Sequence, residues 1–272
     1  RCPPQHRFIE PQAAGDCAWL VVAADPVPDL VLHCLQLGAH DVVSPDDDLA
    51  RYDVILAPSL LAVSDQQADA FARFVDGGGH LAVWHFAGST DEHLRVRQGS
   101  YSAAFASLAG IRVEEHVPLV PGGSVTLSDG AQGSSWTELL HLNGAEAMAT
   151  YTGDAHPVIG AGSPAVTRRI LPGGGRVHYL STRLAGADLR SFAARVLAEA
   201  HVPTAGFDGV EVVRRRAGSS SYLFVINHGR ATATVPAEGT NLLGSRPVTG
   251  TLTLAAGDVA VVRESRTDGD AS

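Results

Sequence analysis

The segment Phe86 to Tyr101, FAGSTDEHLRVRQGSY, brings Asp91, Glu92, His93, Arg95 and Arg97 close together in the chain. Three chemistries suit such residues: acid–base catalysis by carboxylates, metal binding, and charge pairing. Asp91 and Glu92 are adjacent, so on a regular element they point to different sides. Glycosidase carboxyl pairs instead come from separate elements that face one scissile bond. His and carboxylate metal ligands need i, i+3 or i, i+4 spacing, or convergence from several elements. Neither pattern is met, and neither a metal nor a cofactor is expected. The remaining reading is an ordered loop whose acids and arginines pair with one another or with another subunit. Ser89 lacks the GxSxG surroundings of a nucleophile elbow. An amidotransferase-like nucleophile would be a Cys on the turn after HLAVWHF, where this chain has AGST.

Other motifs are weaker. Gly77–Gly79 and Gly173–Gly175 precede strands, whereas a phosphate loop leads into a helix N-terminus. His141, His156, His178, His201 and His228 are scattered and read as surface or hydrogen-bonded core residues. Arg168, Arg169 and Arg214 to Arg216 read as solvated edge charges that protect sheet edges. In SYLFVIN, Tyr222 and Phe224 share one face and are expected in the core, with Asn227 to Gly229 as the turn.

The elements that position the loop follow from periodicity. Residues 1–17 read as a loose arm. WLVVAA (Trp19 to Ala24) and YDVILA (Tyr52 to Ala57) are short apolar runs of buried-strand type. DLVLHCLQL, Asp29 to Leu37, has helical spacing and stops at Gly38. Ser64 is an N-cap with Gln67 in the capping-box position, and Ala68, Phe71, Ala72 and Val75 form one apolar helix face. Strand, helix, Gly turn and strand imply a parallel pair joined by a right-handed crossover. Tyr101 to Leu108 reads as a helix ending at Gly110. Short alternating segments fill Leu119 to Thr167, and Leu189, Phe192, Ala193, Val196 and Leu197 mark a last amphipathic helix. After VPTAGFDG the helical signal disappears. The expected architecture is a doubly wound, mostly parallel α/β domain, amidotransferase-like or flavodoxin-like, over residues 18–203. A small antiparallel β-sandwich follows over 208–264, then a tail over 265–272.

Bulk properties narrow the partners. The chain has 272 residues, 45% of them hydrophobic, which suits one large or two smaller globular domains. A formal net charge of -9 argues against nucleic acid or an anionic membrane, since phosphate binding needs clustered cations. Every cation among the Lys and Arg class is Arg. Cys2, Cys17 and Cys34 are odd in number and show no CxxC spacing, so reduced, incidental thiols are expected. The apolar runs are too short for a membrane span and the first residues lack a signal-peptide core, which suggests a cytoplasmic location.

The run from Tyr52 to Tyr101 resembles the trimerisation domain of glycoside hydrolase family 42 β-galactosidases. The shared pattern is a Tyr-Asp strand ending in Ala-Pro, an Ala-rich helix, a Gly-Gly turn, and a strand leading to Phe, Gly, Asp-Glu, Arg and Gly-Tyr. Here these are Tyr52, Asp53, Ala57, Pro58, Gly78, Gly79, Phe86, Gly88, Asp91, Glu92, Arg97, Gly99 and Tyr101. IRVEEHVPL, WTELLHLNGAEAMATY, PAVTRRILPGGGRVHYLSTRL, VEVVRR and the final β segment extend the likeness from Leu49 to Glu264. The chain departs from the pattern at His85, Ala87, Ser89, Thr90, His93 and Leu94, and it is shorter around DPVPDL. The family's catalytic barrel is missing and has no room here, because such a barrel needs about 250 residues. The resemblance therefore implies a non-catalytic chain that self-associates as a homotrimer, with a separate catalytic barrel as a further partner. A galactoside would bind only in the full enzyme. Phe86, Asp91, Glu92, Arg97 and Tyr101 would form a pocket rim or subunit interface. Two rival readings stay open: a free-standing sugar-binding or assembly module, and a hydrolase using the loop acids.

Overall fold

A computed structural model describes residues 17–19, 40–153, 157–202, 209–217 and 220–264. Residues 1–16 of the expected arm, Cys2 among them, the helix expected at Asp29 to Leu37, Cys34 and the tail lie outside them, while Cys17, placed at the end of the arm, opens a strand. The chain divides into two compact units, a larger one spanning His40–Thr204 and a smaller one spanning Ala205–Ser272, with earlier segments assigned to each.

The larger unit begins with β1 (Cys17–Trp19), β2 (His40–Val42) and β3 (Val54–Ala57). Helix α1 (Asp65–Asp76) starts at Ser64, whose side chain accepts from the Gln67 amide while the Gln67 side chain accepts from the Ser64 amide. This reciprocal cap satisfies two donors that the first helical turn leaves free. The Gly77–Gly79 turn then delivers β4 (His80–Trp84), buried along its whole length. Next come α2 (Ala103–Ala109), β5 (Ile111–Pro118), β6 (Ser124–Thr126), β7 (Gln132–Ser134), β8 (Trp136–Leu142), β9 (Glu146–Thr150), β10 (Pro164–Ile170), β11 (Arg176–Leu180), β12 (Arg183–Leu184) and α3 (Gly186–Glu199).

The central sheet has the order β2-β1-β3-β4-β11-β10-β9. The strands from β2 to β11 in this order run parallel; β10 pairs antiparallel to β11, and β9 pairs antiparallel to β10. β3, α1 and β4 form the crossover unit expected from periodicity. Leu81, Val83, Val177 and Tyr179 face Phe71, Phe74 and Val75 of α1 and Phe105 of α2 in one core. On the other face, Trp84 meets Phe192 of α3 edge-on at 5.6 Å. Cover on both faces explains why β4 is an unbroken apolar run.

The doubly wound expectation fails. Strands hold 43% and helices 17% of the structure, so strand rather than alternating strand and helix dominates. β5 pairs with β8, and β7 pairs with β6 and β12, all antiparallel and outside the central sheet. Residues 111–142 carry period-two alternation, which commits the backbone to ladders rather than to further crossover helices.

The smaller unit contains β13 (Val210–Ala217), β14 (Ser220–Asn227), β15 (Ala233–Pro236), β16 (Gly239–Asn241), β17 (Arg246–Val248), β18 (Thr251–Leu254) and β19 (Val259–Glu264). A sheet in the order β13-β14-β19-β16-β17 and the β15–β18 pair share one core built on Val210, Leu223, Val225, Val235, Leu254 and Val262. Tyr222 and Phe224 are not core residues. Leu223 and Val225 take the inward positions, and Phe224 is 38% exposed, because successive strand residues face opposite sides. Asn227 is buried and donates to the carbonyls of Ala231, Leu254 and Ala255, tying the turn to β18.

Candidate functional site

The carboxyl end of β4 opens into the Phe86–Tyr101 loop. Phe86 has φ 67° and Ser102, at the far end of the segment, has φ 56°; both are left-handed and neither is Gly. Such conformations strain a side chain with a Cβ and persist only where the surroundings hold them. Gly88, at φ +66°, is tightly fitted, since a Cβ there would sit 2.7 Å from the Ala104 methyl.

The loop is ordered by its own bonds. Thr90 bridges to Ala62 and to Val96. Asp91 Oδ1 accepts from the amides of His93 and Arg95, both at 2.9 Å, so this acid shapes the turn that presents Glu92 to Arg95. These amide bonds, with that of Arg95 foremost, hold the Asp91 carboxyl below its usual range. Arg97 donates to Asp65 Oδ1 and to the Val63 carbonyl, each at 2.7 Å, anchoring the loop to the start of α1. Glu92 is exposed beside His93, at 3.8 Å. At the tip, Leu94 and Val96 are 68% and 67% exposed.

The structure therefore separates the expected site residues into three groups. Phe86 and Tyr101 join one aromatic stack, Arg97 turns back to α1, and Asp91 and Glu92 lie at the tip. In the stack, the His116 ring lies 4.3 Å from Phe86 and 4.4 Å from Tyr101, and Phe86 meets Trp136 at 4.8 Å. Behind it is Glu138, fully buried, with Oε1 2.8 Å from His116 Nδ1 and accepting from the Tyr179 hydroxyl at 3.1 Å. Burial pushes the Glu138 carboxyl up, against the opposing pull of His116, Tyr179 and the Phe86 amide. His85, beside Phe86, is lowered to about 4 by burial, with His116 and Arg183 adding to the effect.

His116 and Glu138 escaped the reading of the sequence. The available signal was Glu138 itself, a carboxylate in the same strand phase as buried Leu140. His116 had no such signal. A bulge between Val113 and Glu115 reverses the alternation of β5 and sets His116 opposite Glu138.

A second polar cluster lies at the amino-terminal ends of the strands. Glu199 takes Arg168 Nη1 at 3.0 Å and Arg176 Nη1 at 3.1 Å, and Arg168 also binds Glu146. Arg168 is thus paired rather than solvated, and Arg169 donates to the carbonyls of Ser107 and Leu108. Arg214 likewise pairs with Glu264. The Glu199 carboxyl is lowered to about 2, first by its hydrogen bond with His178. A groove of about 780 Å³ beside it is lined by Tyr52, Asp53, Arg73, His80 and Arg176, among others. Among the described residues no group of three or more His, Cys, Asp or Glu is arranged to hold a metal ion, and no helix is long and apolar enough to cross a membrane.

The fold is a strand-dominated unit with three α-helices among the described residues, followed by a small β domain. Residues 34–203 match the β-galactosidase trimerisation domain, and residues 209–264 match the β-galactosidase C-terminal domain. A β-galactosidase of an Arthrobacter species is 44% identical over 227 residues, covering 82% of this chain and 32% of the relative. One from Heyndrickxia coagulans is 35% identical over 240 residues, covering 86% of this chain and 35% of the relative. The crystal structure of a β-galactosidase from Bacillus circulans sp. alkalophilus superposes with a TM-score of 0.79 at 26% identity, covering 93% of this chain and 41% of that one. A cold-adapted β-galactosidase from Rahnella sp. R3 gives 0.77 at 26% identity, covering 92% and 41%. The chain belongs to the glycoside hydrolase family 42 β-galactosidases, comprising their trimerisation and C-terminal domains. It spans about a third of the length of these curated relatives, and its larger domain is of an oligomer-forming kind.

Proposed function

We propose that the chain self-associates as a homotrimer through the face that carries the Phe86–Tyr101 loop, and so supports a β-galactosidase that removes terminal β-galactosyl residues. The carrying observation is a match to a trimerisation domain over residues 34–203 in a chain whose ordered loop presents Leu94 and Val96 to solvent. Apolar tips on a loop fixed at both ends suit a contact that must form without a large ordering cost. Phe86 and Tyr101 back this surface, Asp91 and Glu92 give it a charged rim, and Arg97 fixes its root. The partner is a second copy of this chain, and a catalytic barrel is a further partner.

Cleavage of the galactosidic bond belongs, in this reading, to that barrel. Asp91 is occupied in turning its own loop. A general acid needs a proton held at neutral pH and aimed at the leaving oxygen, and a carboxyl below its usual range is the wrong tool. Light scattering on the eluting chain tests the assembly: three times the monomer mass supports it, and a monomer at high concentration overturns it. Turnover of a chromogenic β-galactoside, abolished by Glu92→Gln, would restore the hydrolase reading.

A further inference from the structure

Both ends of the assembly loop converge on the same buried carboxylate. At the first end, the Phe86 ring packs on His116 and the Phe86 amide favours the ionised form of Glu138. At the second, Tyr101 packs on the other side of His116, and the Ser102 hydroxyl lies 2.8 Å from the Tyr179 hydroxyl, which donates to Glu138. Ser89 adds a cross-link, donating to the Phe86 carbonyl at 2.8 Å and accepting from the Ser102 amide at 3.3 Å. The left-handed residues at the two ends of the segment, Phe86 and Ser102, are thus held by groups that meet at Glu138.

We infer that Glu138 and the His116 ring stacked between Phe86 and Tyr101 are positioning residues that latch both ends of the Phe86–Ser102 segment, so that the shape of the assembly loop depends on pH. This rests on the reading of the loop as an assembly surface and adds its regulation. His116 Nδ1 lies 2.8 Å from Glu138 Oε1 without the geometry of a hydrogen bond, and Glu138 Oε2 has no hydrogen-bond partner among the described residues. An ionised Glu138 is a fully buried negative charge, which is costly in a low-dielectric interior. The other groups around the pair are His85 at the end of β4, Tyr179 of β11, Tyr151 after β9, Tyr101 before α2, and Arg183 of β12, which acts on His85. None of the tyrosines supplies a positive charge to neutralise an ionised Glu138. Burial raises the Glu138 carboxyl above its unfolded value. Its contribution is therefore present at lower pH and is lost as pH rises through the folded value.

The test is hydrogen exchange of the loop amides, corrected for intrinsic rates, from about pH 6 to about pH 9.5, with light scattering in parallel. Loop protection in the wild type falls by about tenfold or more as pH rises and Glu138 ionises. Glu138→Gln, which mimics the protonated carboxyl, removes that fall. Tyr179→Phe deletes a donor to the ionised form and moves the fall to higher pH, a shift that a merely structural role would not produce. Should Glu138→Gln not fold, the wild-type and Tyr179→Phe series still decide the matter. Flat wild-type protection, or a fall that neither variant moves, overturns the latch. A monomeric chain that still shows the fall overturns only the assembly reading, and a trimer without it overturns only the latch.

Discussion

Acidification should unfold the larger unit through His85, by an amount that follows from its surroundings. His85 is buried at the end of β4, and its pKa is lowered from 6.5 to about 4. A folded value below the unfolded one means the stabilisation is complete above the unfolded value and is lost as pH falls toward the folded one. With these two values the loss attributable to His85 is about 2 kcal/mol by pH 5 and about 3 kcal/mol by pH 4, since a tenfold change in proton affinity is worth about 1.4 kcal/mol. His80 is lowered to about 4 as well, chiefly by burial and then by Arg176. It lines the open groove, where water screens its share. Glu138 acts in the opposite direction, because its raised value favours the folded state in acid. Comparing wild type with His85→Gln isolates the His85 contribution. All three tryptophans, Trp19, Trp84 and Trp136, belong to the larger unit, so their fluorescence in urea follows that unit alone. The wild type should lose about 2 kcal/mol more than His85→Gln between pH 7 and pH 5. Equal losses in the two proteins, within about 0.5 kcal/mol, would refute the assignment of acid lability to this imidazole.

Substitutions at three positions test the loop and its supports. Leu94→Asp changes only an exposed position, so melting should stay within about 0.5 kcal/mol while self-association weakens about tenfold or more, measured by sedimentation velocity. Arg97→Ala removes both bonds to Asp65 and the Val63 carbonyl and should cost about 1–2 kcal/mol with faster loop exchange; Arg97→Lys should not restore the loop, because a point charge cannot make the forked contact. Phe105→Ala empties a fully buried position that meets Phe71 edge-on at 5.3 Å, and should cost about 3–5 kcal/mol in urea unfolding.

What the sequence disclosed depended on how far apart the interacting residues lie along it. The α1 unit was legible because its signals are local: Ser64 with Gln67 at the cap, an apolar face at helical spacing, and a Gly turn before β4. The Gly110 C-cap of α2 was legible for the same reason, at φ 65°. Extending that crossover unit to a doubly wound domain assumed that later strands would keep the same rule. They did not, because β9 and β10 join the sheet antiparallel and β5 to β8 leave it. The site divides in the same way. Phe86, Asp91, Glu92, Arg97 and Tyr101 stand in one segment and could be named from it, but their separate tasks could not. Asp91 turns its loop through neighbours, Arg97 reaches back across 32 positions to Asp65, and Phe86 and Tyr101 are joined only by a histidine from β5. That histidine is the least legible residue of all. Strict alternation from Ile111 and Val113 puts Glu115 and Val117 on the inner side and turns His116 to solvent. One bulged residue reverses the phase and places His116 across from Glu138. A carboxylate on the apolar side of β8 needed a polar partner from elsewhere, and the bulge in β5 is what supplies it.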